Sequence, residues 1–406
     1  MKIVNDNIDL HRTVRIIAWA FAGIVMIFNS SCVSNRYKVF QFDNGDDYFC
    51  EGLHRIEDGK GKIGFSDENG NVVIKPRFAF ASPFENGFSR TTFKGEKVYK
   101  GEHWFWESPE WFYIDHQGNT VDIHSLLEGK LNAFVKGKDA RIGIAVIIDG
   151  TDTVSVNGRK DFPMMSVFKF PLALAVAEWI DSKGISLSDS VGIGIEQLHE
   201  DTYCPMLKKY GRKEMSLSYR ELLEWTLIES DNNTTDILLN RIGGIEGINE
   251  LLRQMGIQEG MEIGASEDDM HRDRYLCYLN RATPIAMAEL FDKFNSTIRF
   301  KSATFQEVAV MLEKCKTGEK RLPAPLMSTN AEIGHKTGTG FITEEGRLTS
   351  LNDCGYVNLP DKHRYSIAVF IADSAYDMAK TERMIAEISQ IVYHSLKDCQ
   401  TNSKES

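Results

Sequence analysis

A serine and a lysine three residues apart, Ser166 and Lys169, are the residues of this chain best placed to do chemistry. Positions i and i+3 share one face of a helix, so the lysine amine can lie beside the serine hydroxyl and help remove its proton. The apolar neighbours Val167, Phe168 and Phe170 favour a buried pair over a solvated helix face. The spacing alone is weak, because a Ser-x-x-Lys pair arises by chance in most chains of this length. It predicts a nucleophile only where further residues support it.

A second motif, Ser230-Asp231-Asn232, places a hydroxyl, a carboxylate and an amide in a row. The hydroxyl can relay a proton to a departing nitrogen, and the amide can hold part of a substrate. Asp231 is expected to be structural, buried and bonded to loop amides. The same residues are good N-cap chemistry for a helix over Thr235–Leu239, so a structural and a catalytic interpretation can hold together.

The sequence Lys-Thr-Gly occurs twice, and only one copy has a suitable setting. Lys316-Thr317-Gly318 lies in a polar turn after a predicted helix. Lys336-Thr337-Gly338 follows a small apolar strand, so its side chains can line a sheet edge that faces the serine. We therefore assign the second copy to the site and interpret the first as a decoy.

Together the motifs resemble the set of class A serine β-lactamases and penicillin-binding proteins, in the same order and spacing over residues 122–396. The resemblance implies that Ser166 attacks the lactam carbonyl and that Lys169, with a depressed pKa, could accept its proton. Whether this lysine or a glutamate acts first in acylation stays open. It also implies that Ser230 relays a proton to the lactam nitrogen and that Asn232 holds the substrate side-chain amide.

The second Lys-Thr-Gly copy is then expected to bind the substrate carboxylate and to lie beside the oxyanion. The resemblance implies that Lys336 and Thr337, in one strand with Gly338, bind the carboxylate. The backbone N–H of Thr339 is expected to be the second oxyanion donor, beside that of the nucleophile. Tyr203, which precedes Cys204-Pro205, is similar to the residue that forms an aromatic wall beside the pocket.

Hydrolysis needs a further base, and Glu267-Asp268-Asp269-Met270-His271 offers three adjacent carboxylates. The resemblance implies that Glu267 activates the water that attacks the acyl-enzyme. The family usually has proline after this glutamate and asparagine four residues on, where this chain has Asp268 and His271. A subgroup of class A with extended-spectrum members shares this Glu-x-x-Met-His form, so His271 is counted among the substrate-binding residues. Asp268 and Asp269 stay open as alternative bases.

These motifs need a scaffold that brings distant segments together, and the apolar patterns predict one. Capping residues mark two helix starts, Ser218-x-x-Glu221 and Thr283-Pro284. A helix and a strand come first, helical patterns dominate the middle, and strands and a helix close the chain. The helices and strands predicted at the two ends are Leu126–Val135, Ile142–Ile148, Ile333–Thr337, Asn352–Leu359 and Tyr365–Ala372. The fold class is therefore α/β of the α+β type, an antiparallel sheet flanked by helices with an inserted all-helical lobe.

Residues 50–121 form a separate β segment with an internal near-repeat. The stretch 64–73 is echoed by 112–121, each copy with an Asn-Gly or Gln-Gly turn between apolar strands. The pattern resembles WG repeats, with the Trp-Gly pair appearing here as Ile63-Gly64. We interpret it as a β appendage that spaces or docks the main domain, in preference to a ligand site.

The N-terminus has the pattern of an export signal. A basic start and an apolar run over Ile16–Phe28 precede Asn29-Ser30-Ser31-Cys32. This resembles a lipoprotein signal in which residues 1–31 are removed and Cys32 is lipidated. Cleavage by an ordinary signal peptidase and retention as an anchor stay open, because Asn29 stands where an aliphatic residue is usual.

Composition limits the partners and the chemistry. The chain has 406 residues, of which 42% are hydrophobic, and a net charge of -11, which favours two or more folded units and argues against nucleic acid. Its scattered cysteines have no metal-ligand spacing, so we assign neither a metal nor a disulfide. The predicted segments are a signal peptide over 1–31, a linker over 32–49, a WG-repeat-like segment over 50–121, a class A β-lactamase domain over 122–399 and a polar tail over 400–406.

The sequence thus predicts an exported, periplasmic class A serine β-lactamase that hydrolyses the β-lactam amide through a serine acyl-enzyme and confers antibiotic resistance. We expect a monomer with a small β-lactam as its partner, no cofactor, and membrane contact only through the lipid anchor. One alternative is a D,D-peptidase or penicillin-binding protein. Another is a lipoprotein that senses β-lactams or peptidoglycan and binds ligand through its WG segment.

Overall fold

The structure is a computed structural model that describes residues 37–42, 45–256 and 259–400. The predicted signal peptide and Cys32 lie outside these residues, as does the polar tail from residue 401 onward. The chain divides into two compact units. One holds the described residues up to Leu126 together with those from Leu396, and the other holds Leu127–Ser395. Among the described residues, no helix combines the length and the apolar character needed to cross a bilayer.

The first unit consists of short antiparallel strands. Its strands among the described residues are β1 Lys38–Val39, β2 Gln41–Phe42, β3 Gly45–Asp46, β4 His54–Glu57, β5 Ile63–Ser66, β6 Val72–Phe78, β7 Phe80–Ala81, β8 Ser89–Thr92, β9 Glu96–Lys100, β10 His103–Glu107, β11 Phe112–Ile114 and β12 Thr120–Val121. Two four-stranded sheets, ordered β1-β4-β5-β6 and β12-β11-β8-β7, hold most of them, and β9 with β10 forms a hairpin in the inserted Trp-rich stretch. One apolar cluster that includes Phe65, Phe78 and Ile114 packs within this unit.

The near-repeat has a repeated turn as its physical basis. Oδ1 of Asp67 accepts hydrogen bonds from the backbone N–H groups of Asn69 and Asn71. Oδ1 of Asp115 does the same for residues 117 and 119. An aspartate that bonds its own following backbone in this way fixes the turn between two strands.

Part of the predicted linker over 32–49 belongs to this β unit. Strands β1 to β3 lie within it, and Phe40 is buried in the apolar cluster. Asp47 is buried as well, and its carboxylate forms an ion pair with Arg55. The linker prediction is wrong for these residues, because β1 pairs with β4 and Phe40 packs in the cluster, contacts that the local sequence does not report.

The second unit is built on a five-stranded antiparallel sheet. Its strands are β13 Arg141–Ile148, β14 Asp152–Val156, β15 Phe162–Pro163, β16 Ser190–Ile193, β17 Met215–Ser218, β18 Met261–Glu262, β19 Arg281–Ala282, β20 Glu332–Thr339, β21 Leu348–Asn358 and β22 Arg364–Ser374. The main sheet has the order β14-β13-β22-β21-β20, with all neighbours antiparallel. Strands from both ends of the unit therefore meet in one sheet, as predicted, and β20 is its edge.

In the described part of the chain, ten α-helices cover the sheet and form the inserted lobe. They are α1 Ile123–Val135, α2 Lys169–Lys183, α3 Pro205–Tyr210, α4 Tyr219–Leu227, α5 Asn232–Arg241, α6 Gly244–Gln254, α7 Glu267–Arg272, α8 Pro284–Ser296, α9 Ala303–Glu313 and α10 Met378–Gln400. The predicted caps are present, since Ser218 and Glu221 form a reciprocal capping box and Thr283 caps α8. Helix α2 is the centre of the core. Ten of its residues are buried, and Phe170 stacks on Phe291 of α8 with ring centroids 4.0 Å apart.

Candidate active site

Ser166 lies in a tight turn that leads into the central helix. It belongs to a 3₁₀ helix over Met165–Phe168, and α2 begins at the next residue, Lys169. Met165 has a φ of 48°, a left-handed conformation that is strained for a side chain of this size. A small three-stranded sheet of β15, β19 and β18 holds the chain just before the turn. The serine is therefore fixed by strained backbone on one side and by the most buried helix on the other. It is itself only partly buried.

The lysine that follows is fully buried among oxygen atoms. Nζ of Lys169 donates to the backbone carbonyl of Ser230 at 2.8 Å and to Oδ1 of Asn232 at 2.6 Å. It lies 2.9 Å from Oε1 of Glu267. The hydroxyl of Ser166 makes no hydrogen bond with another described residue. Lys169 instead contacts the Ser230-Asp231-Asn232 motif and Glu267. The expectation that Lys169 accepts the serine proton stays a prediction.

Glu267 is the first residue of the short helix α7, and the two carboxylates that follow it are bonded to other residues. Ser266 caps the helix by accepting from the N–H of Asp269, and the carboxylate of Asp269 bonds back to Ser266. Asp268 pairs with Arg272 at 3.1 Å. Only Glu267 of the three carboxylates faces Lys169 and lines the cavity described below.

A partly buried aspartate, Asp236, holds the start of this helix. Its two oxygens accept from the N–H of Glu267 at 2.9 Å and from the N–H of Asp268 at 2.6 Å. Burial, and next the negative charge of Glu267, raise the pKa of Asp236 to about 7. The position of Glu267 is therefore coupled to the protonation of a second carboxyl group.

Asn280 ties the Glu267 segment to the nucleophile turn. Its backbone carbonyl accepts from the N–H of Met164 at 2.8 Å. Its side chain accepts from the N–H groups of Gly264 and Ala265 and donates to the Ala265 carbonyl. A single buried amide thus sets the spacing between the serine and the glutamate.

The Ser230-Asp231-Asn232 motif has both the structural and the site-lining features expected. Asp231 is the N-cap of α5 and also accepts from the N–H of Met206 at 2.8 Å. It is fully buried, and this burial raises the pKa of its carboxyl. Ser230 has a φ of 61°, which turns its hydroxyl toward Lys336. Nδ2 of Asn232 donates to Oγ1 of Thr202 at 2.7 Å.

The second Lys-Thr-Gly copy lies on the edge strand β20 beside the nucleophile turn. Nζ of Lys336 is fully buried and donates to Oγ of Ser230 at 2.9 Å. Burial lowers the pKa of Lys336 to about 8, and the nearby charge of Lys169 acts in the same direction. A Cβ at Gly338 would lie 2.4 Å from the carbonyl oxygen of Met164, so only glycine allows the strand to approach the turn this closely.

Arg321 adds a second cation at the end of this strand. Its guanidinium is buried and donates to the carbonyls of Gly338 and Asn352 and to Oγ1 of Thr339 at 2.9 Å. It also pairs with Glu382 at 3.2 Å. With Lys336 and Thr337, it makes this end of the site positive and rich in donors.

One cavity of about 710 Å³ joins these groups, a size typical of a small-molecule site. Its wall includes eight of the predicted residues: Ser166, Ser230, Asn232, Glu267, Thr337, Thr339, Tyr203 and His271. Lys169 and Lys336 lie buried behind the wall, and Gly338 packs on the nucleophile turn. Tyr203 is 54% exposed, as expected for a pocket rim. His271 is held at the rim by Asp201, whose Oδ2 lies 2.9 Å from Nε2.

The first Lys-Thr-Gly copy, interpreted from sequence as a decoy, also reaches this cavity. Thr317 and Gly318 line it, and Oγ1 of Thr317 lies 2.5 Å from Oγ1 of Thr337. Lys316 points elsewhere, to Glu229 at 2.6 Å. The interpretation as a decoy therefore fits Lys316, which pairs with Glu229, but not Thr317, which lines the cavity.

Comparison with known proteins gives the same assignment. The family model described as the beta-lactamase enzyme family matches residues 126–396, more than half of the chain. A β-lactamase from Phocaeicola vulgatus is 32% identical over 298 residues, which cover 72% of this chain and 93% of the relative. The extended-spectrum β-lactamase PER-1 from Pseudomonas aeruginosa is 31% identical over 66% of this chain and 86% of its own.

This chain belongs to the β-lactamase enzyme family. A crystal structure of a class A β-lactamase from Bacteroides cellulosilyticus aligns with a TM-score of 0.65 and 33% identity, covering 68% of this chain and 99% of the other. The predicted class A serine β-lactamase, its hydrolase activity and its fold class are thereby confirmed. A model of the WG containing repeat matches residues 63–96, which confirms the second predicted resemblance.

Sequence reasoning missed four residues that shape this β-lactamase site: Arg321, Thr317, Asp236 and Asn280. Arg321 and Thr317 follow a helix in a polar stretch that reads as a solvated turn. Asp236 follows four polar residues in its helix, so one more polar side chain gives no signal of its own in the sequence.

Proposed function

We propose that Ser166 is the residue acylated by β-lactams and that Glu267 is the base for both halves of the reaction. The observation that carries this proposal is the contact between Lys169 and Glu267, 2.9 Å apart in a cavity that Ser166 also lines. A carboxylate held against a buried ammonium beside a nucleophile is what general-base catalysis of acyl transfer requires.

In acylation, Ser166 attacks the lactam carbonyl, and its proton passes to Glu267 through Lys169 or a bound water. Lys169 donates to two oxygens and faces Glu267, so it can accept a proton only after giving one to that carboxylate. Backbone N–H groups of Ser166 and Thr339 stabilise the oxyanion. Ser230, bonded to Lys336, delivers a proton to the lactam nitrogen as the C–N bond breaks. The proton held by Glu267 replaces it by way of Lys169, which leaves Glu267 ionised for deacylation.

Substrate binding uses the positive end of the cavity. The β-lactam carboxylate binds Lys336 and Thr337, with Arg321 adding charge beside them. Asn232 and Tyr203 contact the acyl side chain, and His271 lies at the same rim. This arrangement places the lactam carbonyl over Ser166.

In deacylation, Glu267 takes a proton from water as that water attacks the acyl-enzyme. Glu267 lines the cavity, and its carboxylate faces Lys169 with Oε1 2.9 Å from Nζ, so it can take a proton from a water bound in the cavity. Asp236 and Asn280 position the glutamate through its backbone segment. This base distinguishes the proposal from a D,D-peptidase, which needs acylation but not fast hydrolysis of a penicillin.

Steady-state hydrolysis of nitrocefin by the purified protein tests these roles. Ser166→Ala is expected to reduce kcat by at least about 10⁴-fold, and Glu267→Ala by about 10²- to 10⁴-fold. Unchanged turnover in the Ser166 variant would overturn the proposal.

We also propose that the protein is an exported monomer, anchored through a lipid on Cys32, with a catalytic domain over 122–399 and a WG segment that spaces it from the membrane. The N-terminal pattern and the match to WG repeats support this arrangement. Labelling of producing cells with a palmitate analogue tests it. Label is expected on the protein but not on a Cys32→Ser variant, and equal labelling of both would contradict the anchor.

A further inference from the structure

One cation in the cavity wall has no part in the proposed hydrolytic mechanism. Arg274 lines the cavity, is exposed, and begins a 3₁₀ helix over Arg274–Leu279. Its guanidinium forms neither an ion pair nor a hydrogen bond with the residues that the structure describes. A guanidinium that faces a substrate cavity without a carboxylate partner is available to bind an anion.

Two other arginines near the cavity each have a carboxylate partner. Arg321, at the end that binds the substrate carboxylate, pairs with Glu382 at 3.2 Å. Arg272, two residues before Arg274, pairs with two aspartates of α7 at 3.1 Å and 2.6 Å and is not part of the cavity wall. The positive charge of Arg274 is therefore less compensated than that of either neighbour.

The acidic residues closest to Arg274 in the chain and in the wall are engaged elsewhere. Glu267 is the one acid among the described residues of the wall, and its Oε1 lies 2.9 Å from Nζ of Lys169. Asp273 precedes Arg274, and its Oδ1 accepts from the N–H of Tyr275 at 2.9 Å. Neither carboxylate forms an ion pair with Arg274.

Aromatic rings hold Arg274 beside the end of strand β20. Its Cζ lies 4.4 Å from the ring centroid of Phe341, which also lines the cavity, and 5.3 Å from that of Tyr275. The two rings meet edge to face with centroids 5.4 Å apart. Phe341 is fixed through its backbone, because its N–H donates to Oγ1 of Thr349 at 3.0 Å and its carbonyl accepts from the N–H of Thr349 at 2.9 Å. A cation held over a ring in this way is oriented before a ligand arrives.

The position of Phe341 in the chain indicates which part of the substrate Arg274 meets. The substrate carboxylate is assigned to Thr337 and the oxyanion to the N–H of Thr339, and Gly340 and Phe341 follow directly in the cavity wall. In a penicillin, the ring carboxylate and the acyl side chain lie on opposite sides of the lactam carbonyl. Because a strand advances about 3.3 Å per residue, the wall beyond Thr339 lies on the side of the acyl side chain.

We propose that Arg274, held by Phe341, forms a subsite for a negatively charged group on the acyl side chain, so that the enzyme prefers β-lactams with an acidic side chain. This subsite rests on the proposed function, since the roles of Thr337 and Thr339 set the orientation of the substrate. An acidic side chain pairs with the guanidinium, whereas a neutral side chain of similar size leaves it in water. The pair is present before and during acylation, so it acts on binding and KM more than on kcat.

Benzylpenicillin and carbenicillin test the subsite, because carbenicillin differs only by a second carboxylate, on its acyl side chain. Arg274→Gln is expected to lower kcat/KM for carbenicillin by about five- to tenfold, mainly through KM, and that for benzylpenicillin by less than about twofold. About 0.5 M sodium chloride should weaken the preference of the unaltered protein for carbenicillin and leave the ratio in the variant unchanged. Equal losses for the two penicillins would make Arg274 a structural residue and overturn the proposal.

Arg272→Gln is the matched control. It removes the same charge two residues away, where two aspartates compensate it outside the cavity wall. The ratio of kcat/KM for carbenicillin to that for benzylpenicillin should stay within about twofold of the unaltered protein. A fall in this ratio as large as in Arg274→Gln would assign the effect to net charge and contradict the subsite.

Binding to Ser166→Ala separates the subsite from the proposed hydrolysis. This variant lacks the proposed nucleophile, so titration calorimetry measures Kd for the intact penicillins. Addition of Arg274→Gln should raise Kd for carbenicillin about five- to tenfold and leave Kd for benzylpenicillin within about twofold. An equal change in both Kd values would overturn the subsite. Failure of the unaltered protein to hydrolyse either penicillin would instead count against the proposed function, and the Kd values would still decide the subsite.

Discussion

The two Lys-Thr-Gly segments have the same composition and opposite surroundings. Lys316 follows a helix, its side chain is 67% exposed, and it pairs with Glu229. Lys336 lies on the edge strand of the main sheet, is fully buried, and bonds to Ser230, the next residue along the chain from that glutamate. One lysine is a solvated ion pair and the other a cation held inside a binding site.

The position on the edge strand β20, rather than the tripeptide itself, brings Lys336 to the site. A strand at the sheet edge can lie against the nucleophile turn, and Gly338 permits that approach. A turn offers no such edge. The first segment nevertheless supports the second through the contact between Thr317 and Thr337, so proximity in space gives it a role that its sequence context conceals.

Exchange of each lysine for alanine tests this contrast most strongly. Lys336→Ala is expected to reduce kcat/KM for nitrocefin by about 100-fold or more, because a buried cation that binds the substrate is lost. Lys316→Ala should stay within about twofold, since an exposed ion pair contributes little. Equal losses of kcat/KM in the two variants would contradict the assignment of Lys336, and not Lys316, to substrate binding.

Exchange of each glycine for alanine gives a smaller effect, on stability. Gly338→Ala places a Cβ 2.4 Å from a backbone carbonyl that cannot rotate away, so Tm should fall by about 5–10 °C. Gly318→Ala meets the movable side chain of Thr337 and a φ of +74°, and its Tm should fall by about 2–4 °C. Calorimetry measures the Tm of both variants, and a larger fall in Tm for Gly318→Ala than for Gly338→Ala would contradict this prediction.

The pH dependence of binding should separate the two lysines as well. Burial lowers the pKa of Lys336 to about 8, so its charge is present below that pH and is lost above it. The hydrogen bond that Lys316 donates to Glu229 raises the pKa of Lys316, which therefore does not titrate in this range. We expect KM for nitrocefin to rise by up to about tenfold between pH 7 and pH 9.

The control for this profile is Lys336→Arg, because a guanidinium keeps its charge across the whole range. Its KM is expected to start higher at pH 7, but the rise toward pH 9 should be absent. A rise of the same size in this variant would assign the titration to another group.

Sequence predicted the fold and site wherever a residue carried its own local signal. The capping residues Ser218 and Thr283 marked helix starts, and apolar runs marked strands that meet in the predicted sheet. The motif residues converge on one cavity because each is attached to such an element. Boundaries moved by a few residues, as with β21, which begins at Leu348 and not at Asn352.

The roles of Arg321, Asn280 and Asp47 could not be predicted, because they depend on contacts between segments distant in sequence. Arg321 reads as a surface charge until β20 and β21 supply its carbonyl partners. Asn280 reads as a loop residue, although it joins the nucleophile turn to the Glu267 segment. The order of Asp47 in a predicted linker likewise depends on Arg55. No local pattern reports such partners.

Intact-mass measurement tests whether Ser166 is acylated and whether Glu267 completes hydrolysis. Glu267→Gln mixed with benzylpenicillin is expected to accumulate a one-penicillin adduct that peptide mapping locates on Ser166. Asp268→Asn, whose carboxylate pairs with Arg272 outside the site, should turn over without accumulation. Rapid hydrolysis by the Glu267 variant, or an adduct on any residue other than Ser166, would contradict the account.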